Sequence, residues 1–437
     1  MTKQFKLACL LIVLRVTSLY AITDEEIFRN FQFSFVNPGA RASAMGNAFI
    51  ALADDATAAE ANPAGLTILT KPEVSVEFRN VSFSSHQLSG FAQATVPGID
   101  ASDQPAVDIS ILTANDLQTL NRISFGSFVY PVKRATFAFS TQDAVRLQGT
   151  MHETADFNVQ EANLEATFNA RGTTDQKVVN WNFSGAYKIT DRLSVGASLR
   201  VSVLDWQMNT QSDLSPFPGV VLPESNTRID AADDAFAWNA GVIYRIRPNV
   251  FAGAVYKRNA RFKVTETEAE PVPFSDKPGP FTNVFKIPDT YGFGVAIRPN
   301  DNIIVTSDLV RVQYSDLLEG LEAGRNIFTS IFKGGELQYN VNDAWEFHAG
   351  GEFFVFLKNL PIAIREGYYH KKSDRLQATS APDSTELKVL QSIFNRGEDE
   401  NHYTFGAGVV ISSLQIDWAV DTSASSTNFV LSSVFRF

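Results

Sequence analysis

Five histidines, His86, His152, His348, His370 and His402, are the side chains best suited to metal or proton chemistry in this 437-residue chain. No two share a close metal-ligand spacing, and none sits in a nucleophile motif. Ser85 stands beside His86 in "SSH". Adjacent residues do not face one another as a nucleophile and its base must. Asp54 and Asp55 form a carboxylate pair. Neighbours on a helix point apart, so capping or solvent contact is expected of them rather than acid–base work. No catalytic residue, metal site or cofactor is expected, and the chain reads as a non-enzyme.

Binding chemistry is better represented. Lys277 with Phe281 and Phe285, and Ile327, Phe328 and Phe332 with Lys333, each combine apolar surface with one basic group. Such sets suit an apolar molecule that carries an acidic end. They equally suit plain packing of loops onto a rim, and the sequence leaves both open. Lys371, Lys372 and Arg375 make the clearest basic cluster, a candidate contact for anionic lipid headgroups or lipopolysaccharide. Gly126, within "ISFGSFVY", is a candidate weak point in a strand, because glycine permits bulges.

The elements that hold these residues alternate with a period of two. In 178–189, "VVNWNFSGAYKI", Val179, Trp181, Phe183, Tyr187 and Ile189 share one face and Asn180, Asn182 and Ser184 the other. Residues 193–203, 289–298, 413–421 and the final "FVLSSVFRF" repeat the pattern. A two-residue period means strand. The runs are about 9 to 14 residues long, nearer the 9 to 11 of a tilted membrane strand than the usual 5 or 6. With 35 Phe and 5 Trp in a chain only 19% charged, one face needs lipid or a second layer. Short turns at 131–133, 190–192, 247–249, 298–301, 358–360 and 411–412 alternate with long polar stretches at 143–176, 207–233, 263–285, 314–342 and 372–399. That asymmetry predicts an all-β, antiparallel transmembrane barrel over 73–437. The strands are expected at 73–82, 122–130, 134–142, 177–189, 193–206, 235–246, 250–262, 286–297, 302–313, 343–357, 361–371, 400–410, 413–421 and 427–437, fourteen in all. Residues 86–96 and 155–168 would raise this to sixteen and are placed instead in outer loops, the first beside a short helix over 113–120.

The first 21 residues have a basic start (Lys3, Lys6), an apolar run and a small residue at Ala21, which predicts a cleaved signal peptide. Cys9 is the only cysteine and lies within it, so the mature chain has no disulfide. Without Lys3, Lys6 and Arg15, 34 basic residues face 48 acidic ones, a net charge of −14. Nucleic acid is not expected as a partner on that charge.

Residues 22–72 do not alternate. The run "GARASAMGNAFIALADDATAAEANPAGL" is rich in small residues, with apolar Phe49, Ile50 and Leu52 too few for an independent core. It is expected as a partly helical plug within the barrel. Asp54 or Asp55 would cap a helix running through Ala61, and Pro63 would end it at Asn62. The run, with its Asn62-Pro63-Ala64 triplet, resembles the N-terminal signature of the outer-membrane protein transport family of FadL-type and toluene-type channels. "FKIPDTYGFGVAIRPNDNIIVTSDLV" (285–310), "LPIAIREGYYHKKS" (360–373) and "HYTFGAGVVISSLQIDWAV" (402–420) resemble later segments of that family. The resemblance implies a fourteen-stranded monomeric barrel in the outer membrane of a Gram-negative bacterium, with an N-terminal hatch that includes Asn62, Pro63 and Ala64. It also implies passive uptake of hydrophobic small molecules, fatty-acid-like or aromatic, along a greasy lumen with a lateral gap. The "GARASAMG" opening is similar to a neighbouring branch found in secretion systems. The alternative it implies is a non-transport anchor or hand-over component for exported proteins.

Overall fold

The computed structural model describes residues 35–83, 86–94, 107–159, 164–215, 225–268, 281–319, 338–358, 360–380, 387, 391 and 396–437. Twenty strands follow in chain order. The first seven are β1 (Glu73–Phe83), β2 (His86–Ala94), β3 (Val107–Leu117), β4 (Leu120–Val132), β5 (Ala135–Val159), β6 (Leu164–Lys188) and β7 (Leu193–Ser215). Next come β8 (Ser225–Arg247), β9 (Val250–Arg258), β10 (Arg261–Glu268), β11 (Phe281–Lys286), β12 (Thr290–Asn300), β13 (Ile303–Val312) and β14 (Gln338–Asn340). The last are β15 (Ala344–Leu357), β16 (Leu360–Lys371), β17 (Gln377–Ser380), β18 (Glu400–Ile411), β19 (Leu414–Thr422) and β20 (Ser426–Arg436).

Fourteen of them form the wall. The ring runs β1, β4, β5, β6, β7, β8, β9, β12, β13, β15, β16, β18, β19 and β20, every pair antiparallel. β20 then pairs with β1, from Glu73↔Arg436 to Phe83↔Ser426, and closes it. Closure leaves no sheet edge in hydrocarbon, where unpaired backbone groups are intolerable. The two faces sort as the period-two pattern requires. Trp181, Phe183, Leu199, Phe236, Phe293 and Trp418 point outward and are exposed, while Asn182, Ser198, Arg200 and Asp417 point into the lumen and are buried. Two-residue turns at one end place Lys133, Lys358 and Ser412 at positive φ, as tight hairpins demand.

The outer end differs from the sequence expectation in four places, the first being 86–96, where residues 86–94 form β2 paired with β3 and are not loop. Residues 113–120 are not a helix. They end β3 and begin β4, because β3 is paired on both edges, Thr113 opposite Leu88 and opposite Glu153. Two ladders outweigh a weak helical propensity. Residues 155–168 are not loop either; β5 and β6 run on as one hairpin out to Val159↔Leu164. Much of 207–233 and 263–285 likewise extends as strand, in β7–β8 and β10–β11. β2, β3, β10 and β11 attach to the wall sheet above the membrane, and β14 pairs separately with β17.

Candidate functional site

Residues 35–72 fill the lumen. Two short helices, α1 (Ala40–Ala44) and α2 (Ala58–Ala61), and a 3-10 turn (Pro63–Ile68) carry them, and almost all of the segment is buried. It fits because the wall gives way to it. A Cβ on Gly241 would lie 2.0 Å from Asn62 Oδ1, one on Gly196 2.4 Å from Pro63 C, and one on Gly367 2.1 Å from Gly46 N. Backbone therefore packs on backbone around much of the ring. Phe49, Leu52 and the alanines fill the remaining space with Val129, Ala186, Ile243 and Ile304 of the wall.

Polar groups then lock the segment in place. Asn62 is wholly buried; its Nδ2 donates to the carbonyls of Ile50 (2.9 Å), Val242 (3.3 Å) and Ala254 (3.4 Å), and its Oδ1 accepts from Ala64 N (3.2 Å). It also ends α2 with extended φ ahead of Pro63. Asp54 and Asp55 do not cap α2 directly. Thr57 takes the N-cap position, held by Asp55 through its backbone N–H at 2.9 Å. Asp54 is drawn instead between Arg41 and Arg298. Arg41 grips Glu352 with two bonds of 2.9 and 2.8 Å, and Arg365 continues from Glu352 (2.6 Å) to Asp417 (2.8 Å). Burial alone would lower the Arg41 pKa, but Asp54, Glu352 and Asp55 hold it well above its ordinary value. Burial pushes the Asp55 carboxyl up, against the pull of Arg41. On the opposite side Glu60 binds Arg200 at 2.7 Å.

Above the plug lies a cavity of about 100 Å³. Its lining is charged where the family resemblance implied a greasy lumen: Glu77, Arg79, Arg122, Asp143, Lys371, Glu400 and His402 all face it. The reason is local. Ion pairs in this layer tie the wall to itself and to the plug, whereas apolar side chains gather elsewhere. Further round the lumen, Trp206, Phe262 and Phe285 stack together, and all three are buried. A second cavity of about 40 Å³, near Arg200 and Lys257, adjoins the first, and Phe35, Val36, Gln142, Ala144 and Val145 line both. His348, Tyr369 and His402 stack in the first, with ring centroids 5.0 and 4.1 Å apart. His348 Nδ1 donates to the plug carbonyl of Gly46 at 2.8 Å.

One seam of the wall is interrupted beside that cavity. β4 pairs with β5 from Val132↔Ala135 only as far as Phe125↔Gln142. There Ser124 is left unmatched by a register shift between β1 and β4, and Ala144 by one between β5 and β6. Pairing with β5 resumes through β3 at Leu117↔Gly149, with Gln118 N donating to Gln148 O at 2.9 Å. Between 119–124 and 143–147 the ladder is missing, a window roughly 15 Å tall at the rise of a strand. Arg122, Ser124, Asp143 and Ala144, on its two sides, also line the cavity. Glu77 connects this window to the plug. It accepts from Ser124 Oγ (2.5 Å), Arg79 Nε (3.0 Å) and the backbone N–H of Gly39.

The sequence-derived candidates thus scatter. Asn62, Pro63 and Ala64 sit together at the plug–wall contact on β7–β9. Gly126 lies on the last intact stretch below the window, paired with Val76 and Thr141, two residues from the break at Ser124. Phe285 joins the buried aromatic stack, and Phe281 begins β11. Lys277, Ile327, Phe328, Phe332 and Lys333 lie outside the described residues, as do Ser85, the signal peptide and residues 22–34. In the basic cluster, Lys371 pairs with Asp374 (3.3 Å) and Lys372 with Asp399 (2.6 Å), so two of its three charges are compensated by loop acids. Among the described residues no group of three or more His, Cys, Asp or Glu is set to hold a metal. The residues that sequence reasoning missed are Glu77, Arg79, Arg122, Asp143 and Glu352. Their signal was a charged residue at an inward position of a membrane strand, where only a buried partner makes it tolerable.

The family model described as outer membrane protein transport protein (OMPP1/FadL/TodX) matches residues 29–384. The chain belongs to that family. Outer membrane protein P1 of Haemophilus influenzae is 29% identical over 125 residues, a match covering 23% of this chain and 27% of that protein's length. The crystal structure of a Pseudomonas aeruginosa FadL homologue is similar with a TM-score of 0.60, at 13% identity, over 93% of this chain and all of that one. The Ralstonia pickettii toluene transporter TbuX is similar with a TM-score of 0.56, at 17% identity, over 92% and 99%. At such identities these two structures speak for the fold. The family and the barrel together place the protein in the outer membrane of a Gram-negative bacterium.

Proposed function

We propose that this OMPP1/FadL/TodX family member admits hydrophobic small molecules passively, from the outer face into the cavity and then sideways through the β4–β5 window into the membrane. The observation that carries the reading is the coincidence of the ladder break with the cavity above a sealed plug. A straight path would have to unmake the buried Arg41–Glu352–Arg365 chain and the Glu60–Arg200 pair. A sideways path breaks no backbone hydrogen bond. The two cavities, about 100 and 40 Å³, fall short of the roughly 300–1,000 Å³ of small-molecule sites. The two adjoin at Phe35, Val36, Gln142, Ala144 and Val145, so movement of the shared residues is the route to one larger chamber. The name of the toluene transporter TbuX agrees with an apolar cargo.

Bridging the window tests this. The variant Ser124→Cys/Ala144→Cys, linked by a short bifunctional thiol reagent in a chain whose one native cysteine is Cys9, should lose uptake of labelled toluene and 1-decanol. A reductively cleavable linker should restore it. Unchanged uptake with the bridge in place would overturn the sideways route.

A further inference from the structure

We propose that Arg122 and Asp143 form a headgroup filter in the wall window, and that Arg122 selects amphiphiles bearing an oxyanion headgroup over neutral ones of equal tail. This rests on the passage reading above. Three guanidinium groups line the cavity near the window: Arg79, Arg122 and Arg146. Two are committed. Arg79 holds Glu77 at 3.0 and 2.9 Å, and Arg146 holds Asp175 at 2.6 Å. Glu77 is itself saturated by Ser124, Arg79 and Gly39. Arg122 has only Asp143, with Nε 3.3 Å from Oδ2 and both side chains largely buried. Its Nε and Nη1 are buried without a hydrogen-bond partner among the described residues.

This pair is also the side-chain bridge across the gap, since Arg122 lies on β4 and Asp143 on β5. A molecule leaving sideways must pass it. A hydrocarbon end can only push the pair apart and leave two charges worse solvated. An oxyanion takes Asp143's place, meets the planar fork with two oxygens and satisfies donors that the resting protein leaves unmet. The filter therefore combines a reward for the anion with a penalty for the neutral molecule, the usual composition of specificity. Two sources share this chemistry: the headgroup of a passing acid, and a lipid phosphate of the outer leaflet. The inward, cavity-lining position of the pair assigns it to the cargo.

The test uses the full-length protein with decanoate and 1-decanol as matched probes, in two arms. In cells, wild type should take up both faster than cells without the protein. Arg122→Gln should cut the decanoate-to-decanol ratio about tenfold, the scale of a charge-assisted hydrogen bond, through slower decanoate uptake and decanol uptake that is no lower than in wild type. Arg122→Lys should recover part of the ratio, and Asp143→Asn should raise it. In neutral-detergent micelles free of lipopolysaccharide, Arg122→Gln should weaken decanoate binding by a similar factor. Heat-modifiable mobility on gels checks that each variant is folded; a misfolded Arg122→Gln leaves Asp143→Asn to decide, and an unchanged ratio there overturns the filter. An uptake ratio unchanged in a folded Arg122→Gln overturns the filter while passage itself stands. Uptake of neither probe overturns passage and filter together. Equal decanoate binding by wild type and Arg122→Gln in micelles, with lipopolysaccharide co-purifying only with wild type, assigns Arg122 to a lipid phosphate and overturns the cargo filter.

Discussion

The β6–β7 and β4–β5 seams lie two strands apart and are built on opposite plans. β6 and β7 stay paired from Lys188↔Ser194 to Thr167↔Ser215, through the membrane and far beyond it. The β4–β5 ladder stops at Phe125↔Gln142, and the Arg122–Asp143 pair crosses the gap beyond it. Along β6–β7 the inward groups are spent on the plug and on each other: Ser184 and Ser198 reach Ala59, and Arg200 reaches Glu60. Along β4–β5 they are spent on the window, with Glu77 as the link back to the plug. A closed seam therefore anchors, and the interrupted one is where the wall can change. The interruption is lined by polar side chains, Arg122, Ser124 and Asp143, that face the cavity.

Four substitutions would break or sharpen that contrast. The largest effect is expected from Gly241→Val, which drives a side chain into Asn62 on the anchoring side. The plug should fail to seat, read as leakage of large antibiotics into cells or as loss of heat-modifiable mobility. Arg41→Met takes two bonds from Glu352 and one from Asp54 and should cost about 3 kcal/mol, the low end for a broken buried pair, because Arg365 still holds Glu352 and Arg298 still holds Asp54. A fall in the urea or guanidinium midpoint would measure it; an unchanged midpoint would mean the plug's ionic chain contributes nothing net. Ser124→Ala removes one donor from Glu77 at the window and should cost about 1–3 kcal/mol, with faster hydrogen exchange confined to β4 and β5. Exchange that rises equally on β6 and β7 would erase the distinction between the seams. Lys372→Ala, on a partly exposed rim pair, should move stability by no more than about 1 kcal/mol.

The wall was legible because lipid imposes one rule on every strand. Trp181, Phe183, Leu199 and Trp418 had to face out, and their neighbours in. Beyond the membrane that rule lapses. The tips of β5 and β6 carry Thr150, Thr154, Asn169 and Thr173, which read as loop although backbone pairing makes them strand. The plug was legible from its alanines, but its anchoring was not, since Glu352, Arg365 and Asp417 stand hundreds of residues away. The window was half visible. Gly126 drew attention to β4, yet the break lies at Ser124 and Ala144, because register shifts on both flanking pairs leave no residue signature there.

Glu73 and Arg436, whose side chains meet at 2.7 Å, are 363 residues apart in the chain. The cylinder therefore cannot close until the last strand has been made and has found the first. Loops this long and pairings this remote make for slow assembly. Yet the segment that occupies the interior is synthesised before any of the wall. Its partners come in turn from β7, β8, β15, β16 and β18, in the order the chain emerges. The segment made first is thus held by strands made late, and its seat is complete only when β15, β16 and β18 are in place.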